Sequence, residues 1–142
     1  MTTLHLSRFS EMPLVGAVMT PFPYFVRPDD PIETVRDLMA RHDIRHVPVH
    51  DGKEPVGVIS DLEMAADPPG RRAQDVMLPE PYVVGIGTSL AEVAREMGKR
   101  RCGAALVVRH GKLAGILSVT DACRLLADAL EDSFRDDGDH AA

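Results

Sequence analysis

The feature that most constrains this chain is an internal duplication. Moved along itself by 58 residues, without a gap, the sequence repeats. Val18-Met19-Thr20-Pro21 falls on Val76-Met77-Leu78-Pro79, Tyr24 and Val26 fall on Tyr82 and Val84, and Val35 and Met39 fall on Val93 and Met97. Val49 falls on Val107, Gly57 on Gly115 and Ser60 on Ser118. A constant offset that also keeps the hydrophobic pattern means one structural unit built twice. With 142 residues, the two copies form one compact domain, or two very small ones sharing a core.

Each copy reads as β-α-β-β-α. A short extended segment comes first, Tyr24–Val26 or Tyr82–Val84. The helix after it in the first copy is expected to be capped by Asp30, with Pro31 at the first helical position and Glu33 completing a capping box. Its apolar residues Ile32, Val35, Leu38 and Met39 recur at helical spacing. In the second copy Thr88 or Ser89 caps, and Leu90, Val93, Ala94 and Met97 face inward. Strands follow over 47–50 and 105–108, then tight turns at Asp51-Gly52 and His110-Gly111, then strands over 56–59 and 113–117 that run into a second helix. The fold class is therefore α+β, two pseudo-symmetric repeats packed through their sheets, because one unit of this size is marginal alone. The expected divisions are an N-terminal segment 1–13, a first repeat 14–67, a linker 68–71, a second repeat 72–130 and a disordered acidic tail 131–142. Packing about a pseudo-twofold axis creates two equivalent clefts, and such modules commonly pair again as twofold dimers.

Composition narrows the function. Hydrophobic residues make up 44% but aromatics only 4%, with no Trp, so the core is aliphatic. No apolar run approaches the roughly 20 residues of a membrane span, and Met1–Ser10 lacks the pattern of a signal peptide. Cys102 and Cys123 form no framework. These signs point to a soluble, cytoplasmic protein with free thiols. The net charge of −6 is uneven: −5 over residues 1–70, +3 over 71–130 and −4 over 131–142. An acidic chain without a broad basic face excludes nucleic acid as the natural partner.

The strand-to-helix junctions carry the recognisable motif. Gly57-Val58-Ile59-Ser60-Asp61-Leu62-Glu63 and Gly115-Ile116-Leu117-Ser118-Val119-Thr120-Asp121, with Val18-Met19-Thr20-Pro21 and Ile44-Arg45-His46-Val47-Pro48-Val49, resemble a tandem pair of CBS domains, the Bateman module. The likeness covers about residues 14–130. It implies a regulatory, signal-transducing module without catalytic activity or catalytic cofactor, which binds an adenine nucleotide between the repeats: AMP, ADP, ATP or a relative such as S-adenosylmethionine. It also implies a homodimer and a protein partner signalled in trans. By the same resemblance, Ser118, Val119, Thr120 and Asp121 hold phosphate and ribose. A helix N-terminus suits phosphate, and a carboxylate can accept from both ribose hydroxyls. Thr20, Pro21 and Tyr24 flank the adenine, and Gly103 and Ala104 complete the pocket. The cleft of the first repeat, with Arg45, His46, Ser60 and Glu63, ranks behind because Glu63 stands where the family has Asp.

Plainer readings stand beside these. Ser-x-x-Asp/Glu at a helix start is also an ordinary capping box, and a ligand-free dimerisation scaffold would need nothing more. His42, His46 and His50 have counterparts Arg100, Ala104 and Val108, which argues against a metal stripe. Lys99-Arg100-Arg101 reads first as cations complementing a helix C-terminus. The sequence contains no nucleophile elbow, Walker loop or His-Glu-x-x-His motif.

Overall fold

A computed structural model of the chain describes residues 11–21, 23–66 and 69–140, with side chains to 135. Most of the N-terminal segment, part of the linker and the end of the tail lie outside the described residues. In chain order the elements are α1 (Val15–Val18), β1 (Thr20–Pro21), α2 (Ile32–His42), β2 (His46–His50), β3 (Pro55–Ser60), α3 (Asp61–Ala65), α4 (Ala73–Val76), β4 (Leu78–Pro79), β5 (Val83–Gly85), α5 (Leu90–Arg100), β6 (Ala104–Arg109), β7 (Lys112–Ser118) and α6 (Val119–His140). They make a mixed four-stranded sheet, β1-β7-β6-β5, and an antiparallel three-stranded sheet, β2-β3-β4.

The two hairpins are superimposable in register. His46 faces Ser60 and Val49 faces Gly57 in the first; Ala104 faces Ser118 and Val107 faces Gly115 in the second. Both break register at the same place, Val49/His50 and Val107/Val108. The turns differ. His110 and Gly111 both adopt positive φ, 51° and 77°, as a two-residue hairpin turn requires. In the first hairpin the Asp51 carboxylate instead accepts the backbone N–H groups of Lys53 and Glu54, both at 2.8 Å, so the loop is longer.

What holds the repeats together is a reciprocal exchange of their leading segments. β1, in the leading part of the first repeat, pairs with β7 of the second, Thr20 against Ile116; β4, in the leading part of the second repeat, pairs with β3 of the first, Leu78 against Val58. Backbone hydrogen bonds repeat the exchange. Val15 N–H donates to Thr88 O and Leu90 N–H to Pro13 O; at the matching positions Ala73 N–H donates to Asp30 O and Ile32 N–H to Arg71 O. Each hydrophobic core follows suit. Val15 and Val18 lie in one core with Tyr82, Val84, Val93, Val107 and Leu117, while Ala73 lies in the other with Val26, Val35, Val47 and Ile59. Neither core is complete without a segment from the other repeat.

Three expectations are corrected. Asp30 does not cap α2: its carboxylate accepts the Arg27 N–H at 2.9 Å in a local turn, and Pro31 occupies the cap position without a side-chain bond. Glu33 reaches the Gly70 N–H at 3.5 Å instead of closing a box. Ser89 does cap α5, accepting the Glu92 N–H at 3.2 Å. The extended segment Tyr24–Val26 shrinks to a single bridge at Val26, whereas its counterpart forms β5. Leu106 N–H donates to Tyr82 O at 2.8 Å; the residue matching Leu106 is Pro48, which has no N–H to offer Tyr24. Finally, residues 131–140, expected as a disordered tail, continue α6 as helix, against the low helix propensity of their Asp, Ser and Gly residues and in continuation of the Ala- and Leu-rich turns at 125–130.

Candidate functional site

Both Ser-x-x-acid motifs sit where a central strand ends and a helix begins. At the end of β7, the Ser118 N–H donates to Asp121 Oδ2 at 3.0 Å and the Asp121 N–H donates to Ser118 Oγ at 3.1 Å. Asp121 Oδ1 has no hydrogen-bond partner among the described residues. At the end of β3, the Ser60 N–H donates to Glu63 Oε1 at 2.9 Å and Ser60 Oγ–H to Glu63 Oε2 at 2.8 Å. Ser60 Oγ also accepts the Leu62 N–H at 3.2 Å. The extra methylene lets Glu63 fold back until both its oxygens are engaged by Ser60. The shorter Asp121 can satisfy only the backbone.

The sheet brings most residues singled out from the sequence together. Ala104 starts β6 directly opposite Ser118, and Gly103 O accepts the Val119 N–H at 2.9 Å, pinning the start of α6. On the other side of β7, Thr20 and Pro21 pair with Ile116 and Gly115 and are solvent-exposed. Thr120 is exposed on the first turn of α6. Tyr24 goes elsewhere: its ring stacks on His42 of its own repeat, centroids 3.8 Å apart and planes 11° from parallel. The equivalent pair in the second repeat is Tyr82 under the Arg100 guanidinium, 4.6 Å above the ring. Arg100 is also tied to Glu96 at 3.0 Å, so the middle member of the basic cluster is committed to helix and ring.

The first cleft matches the second in backbone and departs from it in charge. Arg45 O accepts the Asp61 N–H at 3.0 Å, as Gly103 O accepts that of Val119. The Arg45 guanidinium also pairs with Asp61 Oδ2 at 3.1 Å, where the second repeat has only Gly103 and Val119. His46 projects across the pseudo-twofold axis, and a Cβ on Gly103 would come within 2.5 Å of its Nε2. A side chain at position 103 would push the imidazole aside. Burial lowers the His46 pKa from the usual 6.5, outweighing the carboxylates of Asp61, Glu63 and Asp121 that act to raise it. His46 thus lies within the electrostatic reach of the acids of both motifs. Sequence reasoning missed Asp61 as the partner of Arg45. It also missed Leu78 and Pro79 on β4, which stand beside Ser60 as Thr20 and Pro21 stand beside Ser118. The 58-residue offset, applied to Thr20 and Pro21, points straight at them.

Comparison with known proteins is decisive on the family. The sequence profile of the CBS domain matches twice, over residues 15–66 and 73–128. The chain belongs to the CBS domain family. Among solved structures, this CBS pair is similar to CBSX2 in complex with AMP, with 29% identity, a TM-score of 0.71 and coverage of 81% of this chain and 96% of that one. It is also similar to AcuB from Vibrio cholerae, with 26% identity, a TM-score of 0.76 and coverage of 88% and 98%. A curated relative, the zinc metalloprotease MJ0392 of Methanocaldococcus jannaschii, is 34% identical over 110 residues, 78% of this chain and 31% of that protein. The CBS pair thus spans about a third of that curated relative. No described helix is long and apolar enough to cross a membrane.

Proposed function

We propose that this CBS pair is a cytoplasmic regulatory module that binds an adenine nucleotide and catalyses nothing itself. The observation that carries the reading is the Ser118–Asp121 box, which holds its carboxylate by one oxygen and leaves the other without a partner among the described residues. That oxygen, with room to turn the group, can accept the ribose hydroxyls. The start of α6, a helix of 22 residues, presents its dipole to a phosphate. Thr20 and Pro21 on one side and Gly103 and Ala104 on the other bracket the base. The first cleft ranks second for a physical reason: Glu63 spends both oxygens on Ser60, and α3 has only five residues to build a dipole. The AMP complex of CBSX2, at 29% identity, supports an adenine nucleotide over other nucleotides.

Binding would shift the angle between the repeats through contacts that differ in two states, and the signal passes to a protein partner in trans. Leu62 on α3 and Leu126, Leu130 and Phe134 on α6 are exposed apolar residues and offer a face for a second copy in a homodimer. The test is a thermal-shift titration with AMP, ADP, ATP, NAD, S-adenosylmethionine and GTP, repeated on Asp121→Ala. A ligand at a hundred times its Kd stabilises by about 2.7 kcal/mol, and Asp121→Ala is expected to abolish that gain. Absence of any shift at millimolar nucleotide would favour the second reading, a dimerisation scaffold, in which each motif serves only as the helix cap that its hydrogen bonds already form.

A further inference from the structure

A groove of about 1000 Å³ runs between α1 with the residues before it and the turn of the β6–β7 hairpin, at the opposite end of β7 from Ser118, and shares Pro21 with the Ser118–Asp121 cleft. Its floor is apolar, with Met12, Leu14, Met19 and Leu113 among its lining residues, and Glu11 is the one carboxylate in the lining, against the two cations Arg109 and Lys112. Arg109, His110 and Lys112 line its hairpin side. Arg109 and Lys112 are direct cross-strand partners, an arrangement of like charges that costs stability in a hairpin. All three side chains are exposed, and none has an ion-pair partner among the described residues. The matching positions in the first hairpin are Asp51, Gly52 and Glu54, so the same fold works without these cations, and with opposite charge. The basic edge is therefore a property of this groove and not of the hairpin. The ten residues preceding Glu11 carry His5 and Arg8 and no carboxylate, so their charge repeats that of the edge instead of complementing it.

We propose that this groove is a second binding site, for a small organic anion with an apolar body, the class of medium-chain carboxylates. The chain of such a molecule lies over Met12, Leu14, Met19 and Leu113 while its carboxylate meets Arg109 and Lys112. A concave, mostly apolar surface with a few convergent polar groups is the usual form of a small-molecule site, and two cations side by side set the sign of the ligand. The site does not depend on the nucleotide reading.

Calorimetric titration of the full chain with decanoate tests it, with decanol as the uncharged control. Decanoate is expected to bind saturably at one site and at least about tenfold more tightly than decanol, the scale of a lost hydrogen bond to a charged group. The double variant Arg109→Asp/Lys112→Glu, which installs the residues of the first repeat, should weaken decanoate by about tenfold or more with an unchanged melting curve. In the unmutated protein, methyl NMR should show the Met12 and Met19 signals shifting on decanoate addition while Met39 and Met64 stay in place. That readout stands even if the variant misfolds. Saturating AMP should leave decanoate affinity unchanged. Equal binding of decanol, full binding by a folded double variant, shifts at Met39 and Met64 instead, or displacement by AMP would each overturn the assignment.

Discussion

Tyr24 and Tyr82 occupy the same place in their repeats, yet Tyr82 is 9% exposed and Tyr24 47%. One backbone N–H separates the two segments that carry them. The Leu106 N–H holds the Tyr82 carbonyl to the sheet, whereas Pro48 has no N–H for Tyr24, whose segment is joined to β2 through Val26 instead. The clefts differ in the same manner: a Gly–Val pair at 103 and 119 in one, an Arg–Asp ion pair at 45 and 61 in the other. Duplication has kept what the two cores share, the hairpin registers and the exchanged segments. It has let the cleft walls and turns diverge. A pseudo-symmetric fold can therefore present two chemically distinct pockets at no cost to its core, and the way to sharpen the comparison is to perturb matched positions.

The largest effects are expected in the cores. Leu117 and Ile59 are matched, fully buried residues, one in each core. Leu117→Ala and Ile59→Ala should each cost about 2–5 kcal/mol. Because each core contains a segment from the other repeat, both variants should lower a single transition in denaturant. Two separated transitions, with only the mutated repeat melting early, would show that the exchanged segments do not couple the repeats.

Next come the matched caps. Ser118→Ala and Ser60→Ala should each cost on the order of 1 kcal/mol, with Ser60→Ala the more harmful. Ser60 is buried and its hydroxyl serves both Glu63 and Leu62, so its loss leaves the Glu63 carboxylate short of a donor. Thermal melts of the two variants compare them directly; a larger loss at Ser118 would mean that its hydroxyl, which accepts the Asp121 N–H, holds the start of the long α6 more firmly than Ser60 holds α3.

His46 has no counterpart in the second repeat, where Ala104 stands. Its folded pKa lies below the usual 6.5, so on acidification the unfolded chain takes up the proton first. Between those two values the unfolded state binds more protons, and stability falls as the pH drops from 6.5 toward the folded pKa. Denaturant melts across that window should show the fall, and His46→Gln should flatten it. An equally steep fall in the variant would assign the proton to another group.

Much of this was legible in the sequence. The 58-residue offset carried the hairpins, the helices and both acid motifs, because a repeated hydrophobic period reports burial and period alike. It could not report which sheet Thr20–Pro21 or Leu78–Pro79 would join, since pattern and register are the same whether each strand pairs within its own repeat or across. Asp30 misled because an Asp before Pro-Ile satisfies two local motifs, and its own turn with Arg27 won. The ion pair of Arg45 with Asp61 spans sixteen positions along the chain, beyond any local rule.

That ion pair carries the smallest predicted effect. Its side chains are 72% and 48% exposed, and solvent screening leaves such pairs a few tenths of a kcal/mol to about 1 kcal/mol at most. Asp61→Asn should therefore scarcely move the melting temperature. It should act on binding instead. In the first cleft Asp61 competes with any phosphate for the Arg45 guanidinium, and it adds a negative charge next to Glu63. Removing that charge frees Arg45 and should tighten nucleotide binding at the first cleft while leaving the Ser118–Asp121 cleft as it was. Calorimetry of Asp61→Asn in an Asp121→Ala background reads this cleft alone. A gain in affinity would show that the ion pair holds the first cleft closed to anions. A loss would mean that Asp61 instead orients Arg45 for the phosphate, and that the two repeats divided their roles by building, rather than blocking, a second site.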